Sequence, residues 1–212
     1  MHTGRPAVFC RVAGCNLWTG LEKDRDKAVC KFCDTDFVGT GPDGGKFSTA
    51  QELASRVASL WPAERGGRRE EVGTPAPPSS LLPRPYVVCT GGEPLLQLDA
   101  ALIDAFHAEG FEVGVETNGT QPAPAGIDWL CVSPKANAAL VVTNGDELKL
   151  VYPQSEPAAQ PERFTHLGFR HFSLQPMDGP ALTENTRRAV QYCLTHPRWR
   201  LSLQTHKLLG LR

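Results

Sequence analysis

Short apolar runs alternate with helical patterns along most of this 212-residue chain, and this alternation restricts the folds that it can adopt. The run Tyr-Val-Val-Cys at residues 86–89 is typical of a buried strand. Strands separated by helical crossovers indicate an α/β fold with a parallel sheet, either open or rolled into a barrel. Further strands are predicted at residues 7–12, 111–116, 129–132, 147–152, 171–174 and 200–204.

Three helices are predicted between these strands. Ser48 or Thr49 can cap the first helix, which is expected to end near residue 60, and Glu52 is placed for a capping box. The other two helices have apolar residues at helical spacing and are predicted over residues 98–109 and 183–196.

The composition excludes several classes of protein. A formal net charge of -1 leaves no basic surplus for nucleic acid or for an anionic membrane. No apolar run approaches the roughly 20 residues that span a bilayer, and the N-terminus lacks the features of a signal peptide. We therefore expect a cytoplasmic protein, and the length suits a single domain over residues 1–212.

Residues 62–84 interrupt the alternation with five prolines and several arginine and glutamate residues. Proline removes a backbone donor and blocks helix formation, so we expect a mobile surface loop or a disordered insertion here. An interaction site in this segment is the less favoured alternative.

Four polar clusters follow predicted strands, at the rim where ligands of such folds bind. Any one cluster can be explained by turn residues alone, but four on one rim favour a shared site. Gly91 and Gly92 allow the backbone to approach a ligand closely, and Glu93 offers a carboxylate to an ammonium group. The clusters are Thr90-Gly91-Gly92-Glu93-Pro94, Glu116-Thr117-Asn118-Gly119, Ser133-Pro134-Lys135 and Gln175-Pro176-Met177-Asp178-Gly179.

Three of the seven cysteines are spaced as ligands, in the pattern Cys15-x14-Cys30-x2-Cys33. A structural zinc site wants four ligands, and no histidine lies between the first and last of these cysteines. An iron–sulfur cluster held by three thiolates leaves one iron free for another ligand. A zinc site and unrelated free cysteines remain as alternatives. The other cysteines are predicted to be core residues, namely Cys10, Cys89, Cys131 and Cys193.

Three cysteines after an early strand, followed by Gly-Gly-Glu-Pro at a strand end, resemble the radical S-adenosylmethionine (SAM) superfamily. The expanded gap between the first two cysteines resembles the 7-carboxy-7-deazaguanine synthase family in particular. The likeness continues through residues 4–11, 13–18, 33–37, 89–94, 116–119, 133–135, 175–179, 199–202 and 204–207.

This resemblance implies a lyase that contracts 6-carboxy-5,6,7,8-tetrahydropterin to 7-carboxy-7-deazaguanine with loss of ammonia, in queuosine precursor biosynthesis. It implies a modified, incomplete (β/α) barrel, a [4Fe–4S] cluster, SAM and Mg2+ as cofactors, and a homodimer. A flavodoxin- or ferredoxin-type protein is the implied electron donor. No nucleic acid or membrane partner is implied.

The resemblance also assigns residues. Cys15, Cys30 and Cys33 match the cluster ligands, and Thr35 matches a Mg2+ ligand. The implied substrate contacts are Arg11, Thr90 and Arg212. The implied SAM pocket consists of Phe32, Cys33, Asp34, Gly92, Glu93, Ser133, Pro134, Lys135, Gln175, Pro176, Met177 and Asp178.

The chain departs from the family pattern near its start. The family carries a further strand with a substrate-binding Gln-Gly-Glu turn before the residues that match Gly4-Arg5-Pro6, and we expect this strand to be missing. Two alternatives therefore remain for the function. One is a radical SAM activase with another substrate, and the other is an inactive cluster- or zinc-binding homologue truncated at its N-terminus.

Overall fold

The computed structural model of the chain describes residues 2, 4–41, 44–62 and 84–210. Seven strands of the described residues form one sheet in the order of the chain, and every neighbouring pair is parallel. The sheet is open, with its first and last strands at the edges, so the predicted α/β incomplete barrel is confirmed. The strands are β1 (Val8–Val12), β2 (Tyr86–Gly91), β3 (Glu112–Thr117), β4 (Trp129–Val132), β5 (Asn144–Tyr152), β6 (Gly168–Pro176) and β7 (Trp199–Leu201).

The predicted strand over residues 200–204 is wrong in its second half. The ladder with β6 ends at Leu201, and the N–H of Ser202 makes a last bond to the Leu174 carbonyl, at 2.9 Å. The chain then turns, because the N–H of Thr205 bonds the Leu203 carbonyl at 2.9 Å, and a short helix follows.

Helices α1 (Ala50–Leu60), α2 (Ala100–Ala108) and α3 (Leu182–Thr195) confirm the three predicted helices, and a fourth, α4, covers Thr205–Leu208. The capping box of α1 is present, since the Thr49 hydroxyl accepts from the Glu52 N–H at 3.2 Å and the Glu52 carboxylate accepts from the Thr49 N–H at 3.3 Å. In the described part of the chain, no helix is long and apolar enough to cross a membrane.

The two faces of the sheet differ because successive side chains of a strand point to opposite sides. One face is covered by helices and carries two apolar cores. Val87 and Cys89 of β2 belong to the first core, and Leu148 and Leu150 of β5 belong to the second. The other face lines a cavity, so the fold places one row of side chains of each strand in a position to contact a ligand.

The remaining cysteines pack largely as predicted. Cys89 is a core residue, while Cys10 and Cys193 are partly buried against the two cores. Cys131 is buried as well, but its side chain lies on the cavity face. The predicted loop over residues 62–84 falls almost entirely outside the described residues.

The loop after β2 crosses the loop after β1 at very close range. The N–H of Gly92 bonds the Val12 carbonyl at 3.0 Å, and the N–H of Glu93 bonds the Gly14 carbonyl at 2.9 Å. A Cβ atom at Gly92 would overlap the carbonyl oxygen of Gly14. Glycine at this position therefore lets the end of β2 approach the segment that begins at Cys15.

We predict that Gly92→Ala destabilises the protein by roughly 1–3 kcal/mol, the usual cost of overpacking a tight contact. Gly41→Ala is the matched control, because a Cβ at Gly41 meets nothing within 4 Å. Urea unfolding under anaerobic conditions gives both free energies. Equal stability of the two variants would contradict the close approach at Gly92.

Candidate functional site

A cavity of about 590 Å³ lies on the face of the sheet that the helices leave open. It runs along the strands of this face and reaches the loops at their carboxyl ends. Most of the residues predicted for the cluster, cofactor and substrate line this one cavity. They are Cys15, Cys30, Phe32, Cys33, Asp34, Thr35, Thr90, Gly92, Ser133, Lys135, Gln175, Met177 and Asp178.

The wide gap between Cys15 and Cys30 is closed by the backbone. The carbonyl of Leu17 accepts from the N–H of Val29 at 3.0 Å and from that of Cys30 at 3.4 Å. The intervening residues form an excursion that includes a 3₁₀ segment, Glu22–Lys27. Two cysteines with fourteen residues between them thus begin and end the same loop, and both thiols reach the cavity.

The thiols of this loop influence one another. A hydrogen bond from the Cys30 thiol lowers the pKa of Cys33 to about 6, while the same bond and burial raise the pKa of Cys30. Cys15 contributes to the raised pKa of Cys30 through its charge, and the nearby Lys135 acts in the opposite direction. The three sulfurs therefore share one local environment, in which a thiolate forms readily at Cys33.

Three neighbouring thiols suit a thiolate-ligated iron–sulfur cluster. Among the described residues, no group of three or more His, Cys, Asp or Glu side chains is arranged to hold a single metal ion. A four-iron cluster is larger than one ion, so its ligands do not have to converge on one point. The three thiols are therefore suitable ligands for a cluster, both in their chemistry and in their position. They belong to Cys15, Cys30 and Cys33.

The Glu93 side chain lies inside the protein and does not line the cavity. It is fully buried and accepts hydrogen bonds from the Thr117 hydroxyl at 2.6 Å, the Asn118 N–H at 2.7 Å and the Leu95 N–H at 3.0 Å. These bonds join the loop after β2 to the end of β3. The predicted contact of Glu93 with SAM stays a prediction.

Four other predicted site residues lie elsewhere than in the cavity lining. Pro134 and Pro176 are flanked by lining residues but do not line the cavity themselves. Arg11 is exposed at the edge strand, on the same face of β1 as Phe9, which does line the cavity. Arg212 falls outside the described residues. The roles of these four remain predictions.

The cavity face carries an ion pair that the sequence did not predict. Lys149 of β5 donates to the Glu116 carboxylate of β3 at 2.6 Å. The positive charge of Lys149 lowers the pKa of Glu116, and the negative charges around Lys149 outweigh its burial and raise its own pKa. Glu147 lies on the same face. A sequence signal for this polar face was available in β5, where charged residues alternate with leucines.

The C-terminal helix is tied to two loops of the site. Lys207 of α4 bonds the carboxylates of Asp34 and Asp178, each at 2.5 Å, and Gln204 bonds Asp34 at 3.0 Å. The hydrogen bond from Lys207 lowers the pKa of Asp178. Helix α4 thus contacts Asp34, which directly follows Cys33 in the sequence.

Comparison with known proteins identifies close relatives along the full length of the chain. The chain is 59% identical over 212 residues to the 7-carboxy-7-deazaguanine synthase of Bradyrhizobium diazoefficiens, and the match covers 100% of this chain and 92% of the relative. It is 60% identical over 211 residues to the enzyme of the same name from Caulobacter vibrioides, covering 99% of this chain and 91% of the relative. No protein-family model matches the chain.

A solved structure has the same fold. QueE from Escherichia coli superposes with a TM-score of 0.61 and 24% sequence identity, over 95% of this chain and 86% of that one. At this identity the likeness concerns the fold alone. The matches to the Bradyrhizobium and Caulobacter proteins, however, cover essentially the whole chain, including the segments that hold the cysteine loop and the four polar clusters. This chain belongs to the 7-carboxy-7-deazaguanine synthase family.

Proposed function

We propose that the protein is a radical SAM enzyme that converts 6-carboxy-5,6,7,8-tetrahydropterin to 7-carboxy-7-deazaguanine with loss of ammonia, a step towards queuosine precursors. The observation that carries this proposal is the placement of Cys15, Cys30 and Cys33 in one cavity of a chain that is 59% identical to a synthase of that name. The cavity of about 590 Å³ lies within the range of small-molecule sites.

The cluster ligands in this proposal are Cys15, Cys30 and Cys33. Once bound there, a [4Fe–4S] cluster and SAM would supply one-electron reduction and radical chemistry at the carbon skeleton of the substrate. The protein contributes binding, orientation and the exclusion of water.

Lys135 is suited to hold an anionic group at this site. Its ammonium group bonds the carbonyl and the hydroxyl of Ser133, at 2.5 Å and 2.8 Å. An ammonium group has three donors, so one N–H remains for a ligand. Burial lowers the pKa of Lys135, and an anionic partner such as the SAM carboxylate offsets that cost.

The other side chains of the SAM pocket come from the cysteine loop and from the ends of β2, β4 and β6. Backbone groups at Gly92 approach this pocket because the residue has no side chain. The remaining proposed SAM contacts are Phe32, Cys33, Asp34, Glu93, Ser133, Pro134, Gln175, Pro176, Met177 and Asp178.

The carboxylate of the substrate suits an arginine, which presents a planar fork of donors. We assign Arg11, Thr90 and Arg212 to the substrate and the hydroxyl of Thr35 to Mg2+. Thr35 lines the cavity two residues after Cys33, so a cation held by its hydroxyl would lie close to the proposed cluster site. The homodimer, the cytoplasmic location and the flavodoxin- or ferredoxin-type electron donor stay predictions.

Anaerobic reconstitution with iron and sulfide, followed by an assay with the carboxypterin, SAM and a reductant, tests the function. We expect a brown protein that forms 7-carboxy-7-deazaguanine without net consumption of SAM. Cys15→Ala, Cys30→Ala and Cys33→Ala are each expected to lose the cluster, because three thiolates hold it. Cys193→Ala, the control outside the cavity, is expected to keep it.

Two outcomes would contradict the proposal. Formation of 5′-deoxyadenosine without the deazaguanine product would indicate a radical SAM enzyme with a different substrate. One zinc per chain, with no iron in the purified protein, would replace the cluster with a zinc site.

Replacement of the Thr35 hydroxyl tests the Mg2+ assignment separately. We expect Thr35→Ala to lose most of the stimulation by Mg2+ while keeping its cluster and its rate without Mg2+. Thr40→Ala, a change of the same type at an exposed position nearby, serves as the control. Titration of the rate with Mg2+ gives the comparison, and an unchanged response in Thr35→Ala would remove the residue from the metal site.

A further inference from the structure

The segment between Cys15 and Cys30 contains a residue that directly contacts the loop from Cys30 to Cys33, which we call the cluster loop. Arg25 lies in the 3₁₀ segment Glu22–Lys27, and its Nη1 donates to the carbonyl of Lys31 at 2.9 Å and to that of Cys33 at 3.2 Å. These two carbonyls both belong to the segment from Cys30 to Cys33. One guanidinium nitrogen therefore holds the loop from which two of the three thiols project.

The guanidinium group is itself held on two further sides. It stacks over the ring of Trp18 at 4.1 Å, and its Nε bonds both carboxylate oxygens of Glu22, at 2.7 Å and 2.8 Å. Trp18 is 8% exposed and packs edge-on against Phe37 at 5.6 Å. The contacts of Arg25 thus join residues before and after the cluster loop.

The charged groups of Arg25 and Glu22 lie in different surroundings. The positive Nη1 faces the backbone of the cysteine loop, whereas the Glu22 side chain is 76% exposed and therefore screened by water. Lys135 is a further cation whose charge acts on Cys30 and Cys33, and it lies after β4, on another side of the site. Reduction adds negative charge to a cluster, so a cation beside it favours the reduced form.

We propose that Arg25 is a positioning residue that clamps the Cys30–Cys33 loop and raises the reduction potential of the cluster. This inference rests on the proposed function, since it requires a cluster at Cys15, Cys30 and Cys33. It gives the expanded cysteine gap a role, because the residues of this gap bring an arginine back to the segment from Cys30 to Cys33. Lysine can replace Arg25 only in part. Its compact ammonium group carries the charge, but it cannot stack on an aromatic ring and donate several hydrogen bonds as the planar guanidinium group does.

Four reconstituted proteins test the clamp: the wild type, Arg25→Gln, Arg25→Lys and Lys27→Gln. Lys27 is the matched control, because it is an exposed cation of the same 3₁₀ segment. Iron release to a chelator is expected to be about tenfold faster in Arg25→Gln, through the loss of charge-assisted hydrogen bonds. Arg25→Lys is expected to be intermediate, and Lys27→Gln to match the wild type.

The midpoint potential of the cluster, followed by anaerobic titration, tests the charge. We expect a more negative potential in Arg25→Gln, recovery of most of that shift in Arg25→Lys, and a more positive potential in Glu22→Gln. A purely structural role predicts that loss of either partner of the ion pair moves the potential in the same direction. Shifts of opposite sign therefore support the electrostatic effect, and shifts of the same sign overturn it.

The outcomes separate this inference from the function on which it rests. A wild-type protein that takes up no iron contradicts the proposed function itself. A wild type with a cluster, beside an Arg25→Gln protein that releases iron equally slowly, overturns only the role of Arg25. Should Arg25→Gln lose its far-UV circular dichroism, Arg25→Lys decides, and wild-type iron release in that variant overturns the clamp.

Discussion

The site depends on one buried residue, Glu93, which joins three parts of the chain. Its N–H bonds the Gly14 carbonyl just before Cys15, and its carboxylate accepts hydrogen bonds from the Thr117 hydroxyl and the Asn118 N–H at the end of β3. A fully buried carboxylate is stable only when its oxygens are hydrogen-bonded. The requirement to satisfy Glu93 therefore fixes the cysteine loop relative to the sheet.

The sheet provides the second constraint. Helices α1, α2 and α3 cover one face, and the opposite face keeps polar side chains such as Glu116 and Lys149 beside a cavity rather than in a core. A charged pair placed among Val87, Leu148 and their neighbours would have to be desolvated at a high cost. The same alternation of side chains thus builds an apolar core and a polar site from the same strands.

The cysteine loop is held from several directions, which suits a cluster that reacts with a separate molecule. The Leu17 carbonyl closes the loop, Arg25 holds it from the excursion, and Lys207 connects Asp34 to the C-terminal helix. Each of these contacts comes from a different part of the sequence. A rigid frame of this kind keeps the thiols in place while ligands enter and leave the cavity.

The sequence by itself determined the alternation of strands and helices, the capping box at Thr49 and Glu52, and the set of cysteines. Each of these depends on local propensity or on residue type, which the sequence contains directly. Only the tertiary structure decided that Lys149 meets Glu116, that Glu93 points into the protein, and that Arg25 returns to the cysteine loop. These contacts join residues that are distant in sequence or depend on how a loop turns back, so local patterns cannot specify them.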